Sequence, residues 1–530
     1  MNVGVSLFKR IAFFILTVSI ILLTVAGASA DENITADVPS QEPIATAEIP
    51  PNTFSDLQNK INNAEPDSKL YLSGKYKYNK DTDSELKNGV VIKKDLTIIG
   101  EDSCTIDGAH LARCLRIKEG CTVVLKNVKI KNGYTKTNGA GVKIGENCKV
   151  TFENCVFSGN IAKKSNGGAI ESKKSCSIKI QSCTFKNNKA THSGKSSSKT
   201  GMGGAIRTSI DTELRIYDSS FKSNRAYLTT ILVVSLTGHT RKTSSLYISN
   251  CVFTKNKSDH NGVIYSDEYG RCTIVDSVFT KNKSPKGAGT VVIESSRGSL
   301  IKDCKFYKNK GLNGAGINVK VYKKKDSSKV SIVNCRFSEN TAGMYGGAIC
   351  SVGGNLNIKN SRFHANKASR FGGAVYARLG TLYASSSHFW KNKAHYAGAL
   401  CLACKKSNVK SSSITHNTAY YLYGGSYIVK HNKLTKCHSK SNVVLKYSKV
   451  YAYKSGKHVY VKITDNKDKP IKKKVKLVFK GSKKIKTKWH KTSKKKYKKI
   501  RIPKRVRGAC SVSVKVKHAR YFTKTLNIKI

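Results

Sequence analysis

A degenerate repeat constrains the fold of this chain more than any other feature. It reads Asn, Ser or Asp, then Cys or Ser, then any residue, then Phe, and many adjacent copies are 26 or 28 residues apart. The repeat positions are Phe157, Phe185, Phe221, Phe253, Phe279, Phe306, Phe337, Phe363 and Phe389, with Ile414 closing the series. Three residues after each comes an asparagine: Asn160, Asn188, Asn224, Asn256, Asn282, Asn309, Asn340, Asn366, Asn392 and Asn417. Such a period predicts a solenoid.

Within one repeat the pattern of apolar residues changes phase. Val150 and Phe152 share one parity, whereas Cys155 and Phe157 share the other. Because side chains alternate along a strand, the slip at Asn154 predicts a corner between two short strands. The position five residues before the Phe column holds Leu125, Phe152, Ile180, Ile216, Ile248, Ile274, Ile301, Ile332, Ile358, Ala384 and Val409. Two such columns predict an all-β parallel β-helix with coils stacked about 4.8 Å apart.

Asparagine and glycine fit specific places in such a coil. Asparagine amides stacked in register can hydrogen-bond to the coils above and below. The Gly-Gly-Ala-Ile-like runs, such as those starting at Gly167, Gly203, Gly346 and Gly372, predict turns with positive φ. We therefore expect Asn256 and Asn282 to be buried, although both stand in glycosylation sequons.

The 16 cysteines suggest disulfides at first. However, Cys and Ser interchange in one column, two residues before Phe, as in Cys183 and Ser219. This interchange favours packing of small buried side chains over pairing, so we expect mostly free thiols. Cys401 and Cys404 form a lone Cys-x-x-Cys, which we interpret as part of an ordinary strand rather than a metal site.

The N-terminus has the pattern of a secretory signal. Lys9 and Arg10 precede an apolar run, and Ala28-Ser29-Ala30 is a cleavage motif, so residues 1–30 are interpreted as a signal peptide and the mature chain as starting at Asp31. An uncleaved anchor helix is the alternative. No later segment is apolar enough to span a bilayer, which predicts a secreted, extracellular or envelope-associated protein. Residues 31–51 are acidic and contain proline, as is typical of a linker.

Two further segments flank the coils, which we place at 101–435. Residues 52–100 predict an N-terminal cap, because Phe54, Leu57, Ile61 and Ala64 have helical spacing. From 441 to 530, short alternating strands such as Val459–Ile463, Val475–Phe479 and Val512–Val516 predict an immunoglobulin-like β-sandwich.

The charge is strongly positive. The chain has 96 Lys and Arg against 32 Asp and Glu, a formal net charge of +64, and residues 441–530 hold 31 basic residues but only two acidic ones, Asp465 and Asp468. Such a field attracts polyanions and weakens with salt. Glycans with acidic sugars and anionic cell-wall polymers are the expected partners, and another cell's surface is a further one. A merely solvated lysine-rich surface is the alternative.

Several segments together resemble a known family. These are Phe54-Ser55-Asp56-Leu57, the run from Lys94 to Gly100, Thr105-Ile106-Asp107-Gly108, and the coils ending in Gly-Gly-Ala-Ile. They resemble the adhesin-like right-handed β-helix surface proteins of methanogenic archaea, over nearly the whole mature chain. The resemblance implies a right-handed parallel β-helix with an immunoglobulin-like C-terminal module, displayed at a cell surface.

A candidate ligand-binding stripe lies one residue past the Phe column, where side chains point outward. It contains Tyr307, His364 and Trp390, with Lys305 and Lys391 beside them. Aromatic rings could stack on sugars while the lysines attract acidic groups. Isolated surface aromatics are the alternative interpretation.

A polysaccharide lyase or glycoside hydrolase acting on acidic polysaccharide is the alternative function. Hydrolysis needs two carboxylates across the substrate, but the acidic residues of the coils are scattered: Glu171, Asp211, Glu213, Asp267, Glu268, Glu294 and Glu339. We interpret the tightest group, Asp267 and Glu268 with Arg271, as a surface turn. We predict no catalytic residues, no metal site and no cofactor. Nucleic acid is disfavoured because the lysine field lacks interleaved aromatics and arginines.

Overall fold

The structure is a computed structural model. It describes residues 52–194, 200–233, 244–266, 270–296, 298–321, 328–429, 432–444, 449–464, 474–480, 484–492, 497–506, 509–516 and 523–529. The predicted signal peptide (1–30) and linker (31–51) lie outside these ranges, as do Asp267 and Glu268.

A short α-helix, α1, opens the described chain and spans Phe54–Asn63. The Thr53 hydroxyl accepts the Asp56 N–H at 3.1 Å, and the Asp56 carboxylate accepts the Thr53 N–H at 2.7 Å. This reciprocal pair satisfies donors that the first helical turn leaves open. Leu57 and Ile61 on its apolar face are buried in the same cluster as the coils, so the predicted helix at the start of the array is confirmed.

The coils form an all-β parallel solenoid of about 13 turns within the described residues. Each full coil contributes one strand to each of four parallel sheets, numbered I to IV in the order in which a coil crosses them. Sheet I consists of Lys69–Leu72, Leu96–Gly100, Thr122–Lys126, Lys149–Glu153, Ser177–Gln181, Glu213–Tyr217, Ser245–Ser249, Arg271–Val275, Ser299–Lys302, Lys329–Val333, Asn355–Lys359, Thr381–Ser385, Lys406–Lys410 and Asn432–Thr435. Sheet II consists of Lys75–Lys77, Thr105–Asp107, Lys129–Lys131, Val156–Ser158, Thr184–Lys186, Ser220–Lys222, Val252–Thr254, Val278–Thr280, Lys305–Tyr307, Arg336–Ser338, Arg362–His364, His388–Trp390, Ser413–Thr415 and His438–Lys440.

Sheets III and IV close each coil. Sheet III consists of Tyr134–Thr135, Ile161–Ala162, Lys189–Ala190, Arg225–Ala226, Lys257–Ser258, Lys283–Ala288, Lys310–Asn313, Thr341–Tyr345, Lys367–Ala368, Lys393–Tyr396, Thr418–Leu422 and Val443–Val444. Sheet IV consists of Val90–Ile92, Leu115–Ile117, Val142–Ile144, Ile170–Ser172, Met202–Thr208, Thr229–Val233, Ile264–Ser266, Val291–Glu294, Ile317–Lys320, Ile349–Val352, Val375–Arg378, Leu400–Ala403 and Ser426–Ile428. A 3₁₀ helix, Ser84–Asn88, precedes the first strand of sheet IV.

The coils extend beyond the range of 101–435 that the repeat pattern gave. Lys69–Leu72 and Lys75–Lys77 already pair with the following coil, inside the segment assigned to the cap. At the other end Val443–Val444 still pairs with sheet III, and Asn442 continues the asparagine column. The terminal coils lack phenylalanine in its column, so the sequence signal fades before the backbone pairing does.

Two left-handed corners in each coil explain the repeat motif. Between sheets I and II one residue has φ near +50°, for example 52° at Asn154 and 51° at Asn360. A second corner follows sheet II, for example at Lys308 and Lys391, both with φ of 54°. Asparagine and aspartate adopt this backbone region more readily than other residues with a side chain, which accounts for the first position of the motif. The predicted corner at Asn154 is confirmed.

The repeat phenylalanines form one continuous interior stack. From Phe157 to Phe389, neighbouring ring centroids are 4.6 to 4.9 Å apart and the ring planes differ by at most 9°. Each coil pairs in register with the next, as Phe337 does with Phe363. The prediction that equivalent side chains lie in one file is therefore confirmed.

The repeat asparagines form a second buried column. The Asn282 side-chain oxygen accepts the backbone N–H of Asn256 at 3.0 Å and its side-chain amide at 3.1 Å. The Asn282 side-chain amide donates to the Phe253 carbonyl at 2.9 Å and to the Asn309 side-chain oxygen at 3.0 Å. Asn256 and Asn282 are both 0% exposed, so the expected burial of these two sequons is confirmed.

Glycine pairs turn the chain between sheets III and IV. The first glycine of a pair has positive φ, 66° at Gly167 and 58° at Gly346. The second is tightly enclosed: a Cβ on Gly168 would lie 2.2 Å from the carbonyl oxygen of Gly204 on the next coil. No larger residue fits there without separating the coils, which confirms the predicted role of these runs.

Fifteen cysteines of the described chain are free thiols. Cys155, Cys183 and Ser219 occupy equivalent positions on three successive coils, and all three are buried. Cys401 and Cys404 are buried as well, and Cys401 lies in the strand Leu400–Ala403. The expectation of free, packed thiols is confirmed for these residues.

The C-terminal residues form two antiparallel sheets. Sheet V consists of Lys449–Ser455, His458–Thr464 and Lys498–Arg501, and sheet VI of Lys474–Lys480, Lys484–Lys486, His490–Lys491, Ala509–Val516 and Thr523–Lys529. Both sheets contribute to one buried apolar cluster, which includes Val461, Leu477 and Val514. The predicted strands are confirmed, whereas the immunoglobulin-like topology stays a prediction.

Replacing a central asparagine of the column should destabilise the solenoid. In Asn282→Ala, donors and an acceptor on the neighbouring coils lose their partners in a buried place, so we expect a loss of about 3 kcal/mol or more in the free energy of unfolding. Asn357→Ala is the matched control, because Asn357 is exposed on sheet I, and it should change stability by about 0.5 kcal/mol or less. Urea unfolding followed by circular dichroism measures both, and equal losses would contradict the structural role of the column.

The interior thiols should react only after unfolding. Burial raises the pKa of Cys104 to about 11 and those of Cys251, Cys272 and Cys350 to about 12. Since the thiolate is the reactive form, a thiol reagent at pH 8 should label these positions slowly in the native protein. In denaturant all 16 cysteines should react, and peptide mass mapping of both samples identifies the sites.

Candidate functional site

The five residues predicted as a ligand-binding stripe all belong to sheet II or its corner. Each strand there has three residues, with the repeat phenylalanine pointing inward and its two neighbours outward. Lys305 and Tyr307 flank Phe306 on one coil. His364 and Trp390 end the strands of two later coils, and Lys391 occupies the left-handed corner next to Trp390.

The aromatic residues share one outward row, although it is interrupted. The Cα partners along it run Tyr307, Ser338, His364 and Trp390. The His364 and Trp390 rings stack with centroids 4.4 Å apart and planes 24° from parallel. Because Ser338 separates Tyr307 from this pair, the structure brings His364 and Trp390 together but leaves Tyr307 apart.

Lysines already contact two of these rings. The Lys391 ammonium lies 4.2 Å from the centroid of Trp390, and the Lys308 ammonium lies 4.6 Å from that of Tyr307. A cation over a ring face is attracted by the ring quadrupole. Trp390 is nevertheless 41% exposed, so its uncovered edge remains open to a ligand.

A second outward row, one residue before the phenylalanines, is cationic. In register it runs Lys305, Arg336, Arg362 and His388, and all four members are exposed. Neighbouring members are on adjacent coils, whose strands are about 4.8 Å apart. Among the described residues no carboxylate lies within 4.0 Å of the Arg336 or Arg362 guanidinium.

A groove of about 280 Å³ runs beside this cationic row over three coils. Its walls are Asn334, Cys335, Arg336, Asn360, Arg362, Ser386 and His388. The Asn334 side-chain amide donates to the Asp303 carboxylate, which fixes one end. The side chains of Asn360 and Ser386 make no hydrogen bond to the described residues, so both can bind a ligand. We call this the sheet II groove.

The groove was not predicted from the sequence, because the predicted stripe follows the residue after each phenylalanine and includes just one residue before it, Lys305. The residue before phenylalanine is basic on four coils, at Lys305, Arg336, Arg362 and His388. The signal was therefore present in the repeat alignment. The sequence does not show that the side chains of Asn360 and Ser386 lack hydrogen bonds, because corner residues on other coils hydrogen-bond to each other.

The acidic residues of the coils are largely paired with cations. Examples are Glu171 with Arg207 at 2.9 Å, Glu213 with Arg215 at 2.6 Å and Glu339 with Lys308 at 3.6 Å. The Tyr265 hydroxyl donates to Glu294. Burial raises the pKa of Glu171, and the positive charge of Arg207 opposes that shift. None of the seven residues lining the sheet II groove is acidic.

The part of the chain that the structure describes has neither a metal-binding cluster nor a membrane-spanning helix. No group of three or more His, Cys, Asp or Glu in that part of the chain is placed to hold a metal ion. No helix there is long and apolar enough to cross a bilayer.

Comparison with known proteins agrees with the fold. Residues 113–297 match the family model described as a right handed beta helix region, and residues 334–352 match that of the Chlamydia polymorphic membrane protein repeat. A search of curated proteins gave no match. The first match and the parallel coils together support a right-handed parallel β-helix protein. The second match includes Asn334 and Arg336 of the sheet II groove.

The contact between His364 and Trp390 can be tested by fluorescence. The chain has two tryptophans, so Trp489→Phe leaves Trp390 as the reporter. The imidazole stacked on the indole covers one face of the ring, so removing it should increase the quenching of Trp390 emission by acrylamide. The variant that also carries His364→Ala should show this stronger quenching, whereas equal quenching in the two proteins would contradict the stacking.

Proposed function

We propose that the protein is an adhesin-like, surface-displayed β-helix protein that binds acidic glycans or other anionic envelope polymers on the outer face of sheet II. The observation that carries this proposal is the sheet II groove, where Arg336 and Arg362 stand side by side without a carboxylate partner among the described residues. Both family matches fit a surface-exposed β-helix protein. Secretion and an origin in methanogenic archaea belong to the proposal, from the predicted signal peptide and the family resemblance.

The chemistry of the groove suits an acidic sugar polymer. An arginine can hold a carboxylate or a sulfate through two parallel hydrogen bonds. Asn360 and Ser386 supply an amide and a hydroxyl that can meet sugar hydroxyls. His388 and Trp390 are two residues apart on one strand, so the cationic and aromatic rows are separated by about 7 Å. A ligand lying along the sheet can touch both rows.

The charge of the whole chain supports capture of such polymers from a distance. With a formal net charge of +64, the chain should attract polyanions and raise their rate of association. This attraction is diffuse, because most of the cations are lysines that act as hydrated point charges. The groove would add a defined place where the polymer is held.

Replacing the two groove arginines should weaken binding more than the charge change alone does. A hydrogen bond to a charged group contributes about 1.5 to 3 kcal/mol, so Arg336→Gln with Arg362→Gln should lower the affinity for polygalacturonate or heparin by about tenfold or more. The matched control is Arg225→Gln with Arg271→Gln, two exposed arginines on sheets III and I, and it should cost about threefold or less. Biolayer interferometry at about 0.1 M salt measures both.

The same preparations separate binding from catalysis. Binding should disappear near 1 M salt, where screening is nearly complete, and the polymer should keep its length after prolonged incubation. Equal losses in the two double variants would show diffuse charge without a site on sheet II. Shortened polymer, seen by size-exclusion chromatography, would instead support the lyase or hydrolase.

A further inference from the structure

The outer face of sheet V presents tyrosines and cations together. In this sheet alternate residues turn inward: Ala452, Val459, Val461 and Ile500 are at most 7% exposed. Their neighbours along each strand therefore turn to the opposite side. That side carries Tyr451, Tyr453, Ser455, His458, Tyr460, Lys462, Lys499 and Arg501, and Tyr497 just ahead of the last strand.

Strand register arranges these side chains in short rows across the sheet. Tyr451 is the Cα partner of Lys462. Tyr453 pairs with Tyr460, which pairs in turn with Lys499. The next row runs Ser455, His458 and Arg501. Aromatic and cationic side chains are thus interleaved, which corrects the expectation that the lysine-rich segment lacks such a pattern. We call this the tyrosine–lysine face.

The rings of this face are in mutual contact. Tyr453 and Tyr460 stack with centroids 5.0 Å apart and planes 4° from parallel. Tyr497 stands at 66° to Tyr453, with the centroids 5.3 Å apart. The Lys462 ammonium lies 5.5 Å from the Tyr497 centroid. Together the three rings form an open corner bordered by cations.

The face remains exposed although it is aromatic. Tyr453 is 47% exposed, Tyr497 37% and Tyr451 36%. Clustered exposed aromatics of this kind mark interaction sites more often than inert surface.

Its charge is uncompensated in the described structure. Within 441–530 the sequence has just two acidic residues, Asp465 and Asp468, and both lie outside the described residues. Desolvation lowers the pKa of His458, and the positive charges of Lys499 and Arg501 lower it further, as expected where cations gather without carboxylates.

We propose that the tyrosine–lysine face is a binding site for acidic polysaccharide, separate from the sheet II groove. The corner formed by Tyr453, Tyr460 and Tyr497 holds the apolar side of a sugar ring. Lys499 and Arg501 pair with its carboxylate or sulfate group. This inference rests on the proposed function for the class of ligand. Its site, however, consists of residues other than those of the sheet II groove.

The ring geometry favours a sugar over single-stranded nucleic acid. Proteins that bind single strands place successive bases on separate aromatic platforms. Here Tyr453 and Tyr460 are already stacked on each other, which leaves no room for a base between them. Tyr497 stands across Tyr453 instead of offering a further parallel surface. A corner of this shape suits one puckered ring with an acidic substituent.

Two sites on one chain would act together on a long polymer. Once one site is occupied, the second binding step takes place at a high effective concentration. Loss of either site should therefore weaken binding of polymer strongly and binding of short oligosaccharides less.

The test uses the full-length protein with immobilised polygalacturonate, heparin and oligothymidylate as probes. One variant removes rings, Tyr453→Ser with Tyr497→Ser, and a second removes charge, Lys499→Gln with Arg501→Gln. The control is Lys474→Gln with Lys480→Gln, two exposed lysines of sheet VI. We expect the first two variants to lose tenfold or more in affinity for a polysaccharide and the control to lose threefold or less. Circular dichroism melting verifies that each variant is folded.

Each outcome decides a different point. If the charge variant loses no more than the control, or the folded ring variant loses nothing, the face is not a binding site. If oligothymidylate binds as tightly and is lost in the same variants, the face binds nucleic acid and the inference is wrong. If these variants weaken binding while Arg336→Gln with Arg362→Gln does not, the inference holds and the sheet II groove fails. If the wild type retains neither polysaccharide, the proposed function and the ligand class fail together.

Discussion

The buried column of asparagine amides is the interaction on which the rest of the solenoid depends. Each amide joins its coil to both neighbours, as Asn282 does through bonds of 2.9 to 3.1 Å to the Asn256 backbone and side chain, the Phe253 carbonyl and the Asn309 side chain. A coil that slipped by one residue would turn its amide outward and leave these buried groups unpaired, at about 1 to 3 kcal/mol each. The column therefore fixes the register of every coil, and the phenylalanine stack at 4.6 to 4.9 Å follows from that register.

A fixed register also organises the surface. When inward positions repeat in file, outward positions must repeat in file as well, so a residue choice made on adjacent coils becomes a row at the coil spacing of about 4.8 Å. The cationic row through Arg336, Arg362 and His388 and the ring pair of His364 and Trp390 arise in this way. The interior has little freedom to vary, whereas the outward positions can change without affecting the coils. For this reason the candidate sites lie on sheet faces, and sheet V offers a second face built by strand alternation rather than by coil stacking.

Much of this fold could be predicted from particular residues. The file of phenylalanines, the asparagine column, the corner at Asn154, the glycine turns and the first helix were all foreseen. Each leaves a recurring or periodic pattern of residues that can be recognised along the chain. The ends of the array were placed less well: the coils continue to Val444, since backbone pairing persists where Ile414 and Ser439 replace phenylalanine. The five predicted site residues do lie on sheet II or its corner, but Ser338 separates Tyr307 from the others, and the groove uses the residue before phenylalanine rather than the one after it.

The sequence by itself determined the parallel coils, the buried columns and the excess of positive charge, because a periodic pattern of apolar, amide and glycine residues can satisfy its hydrogen bonds and bury its side chains in very few ways. Only the tertiary structure decided which charges remain without partners and which rings face one another. Those properties depend on side chains from different coils or strands, such as Arg336 with Arg362 and Tyr453 with Tyr460, and their proximity is set by register. The sequence does not show that Arg207 pairs with Glu171 whereas Arg362 has no acidic partner among the described residues. Three-dimensional packing distinguishes the two arginines.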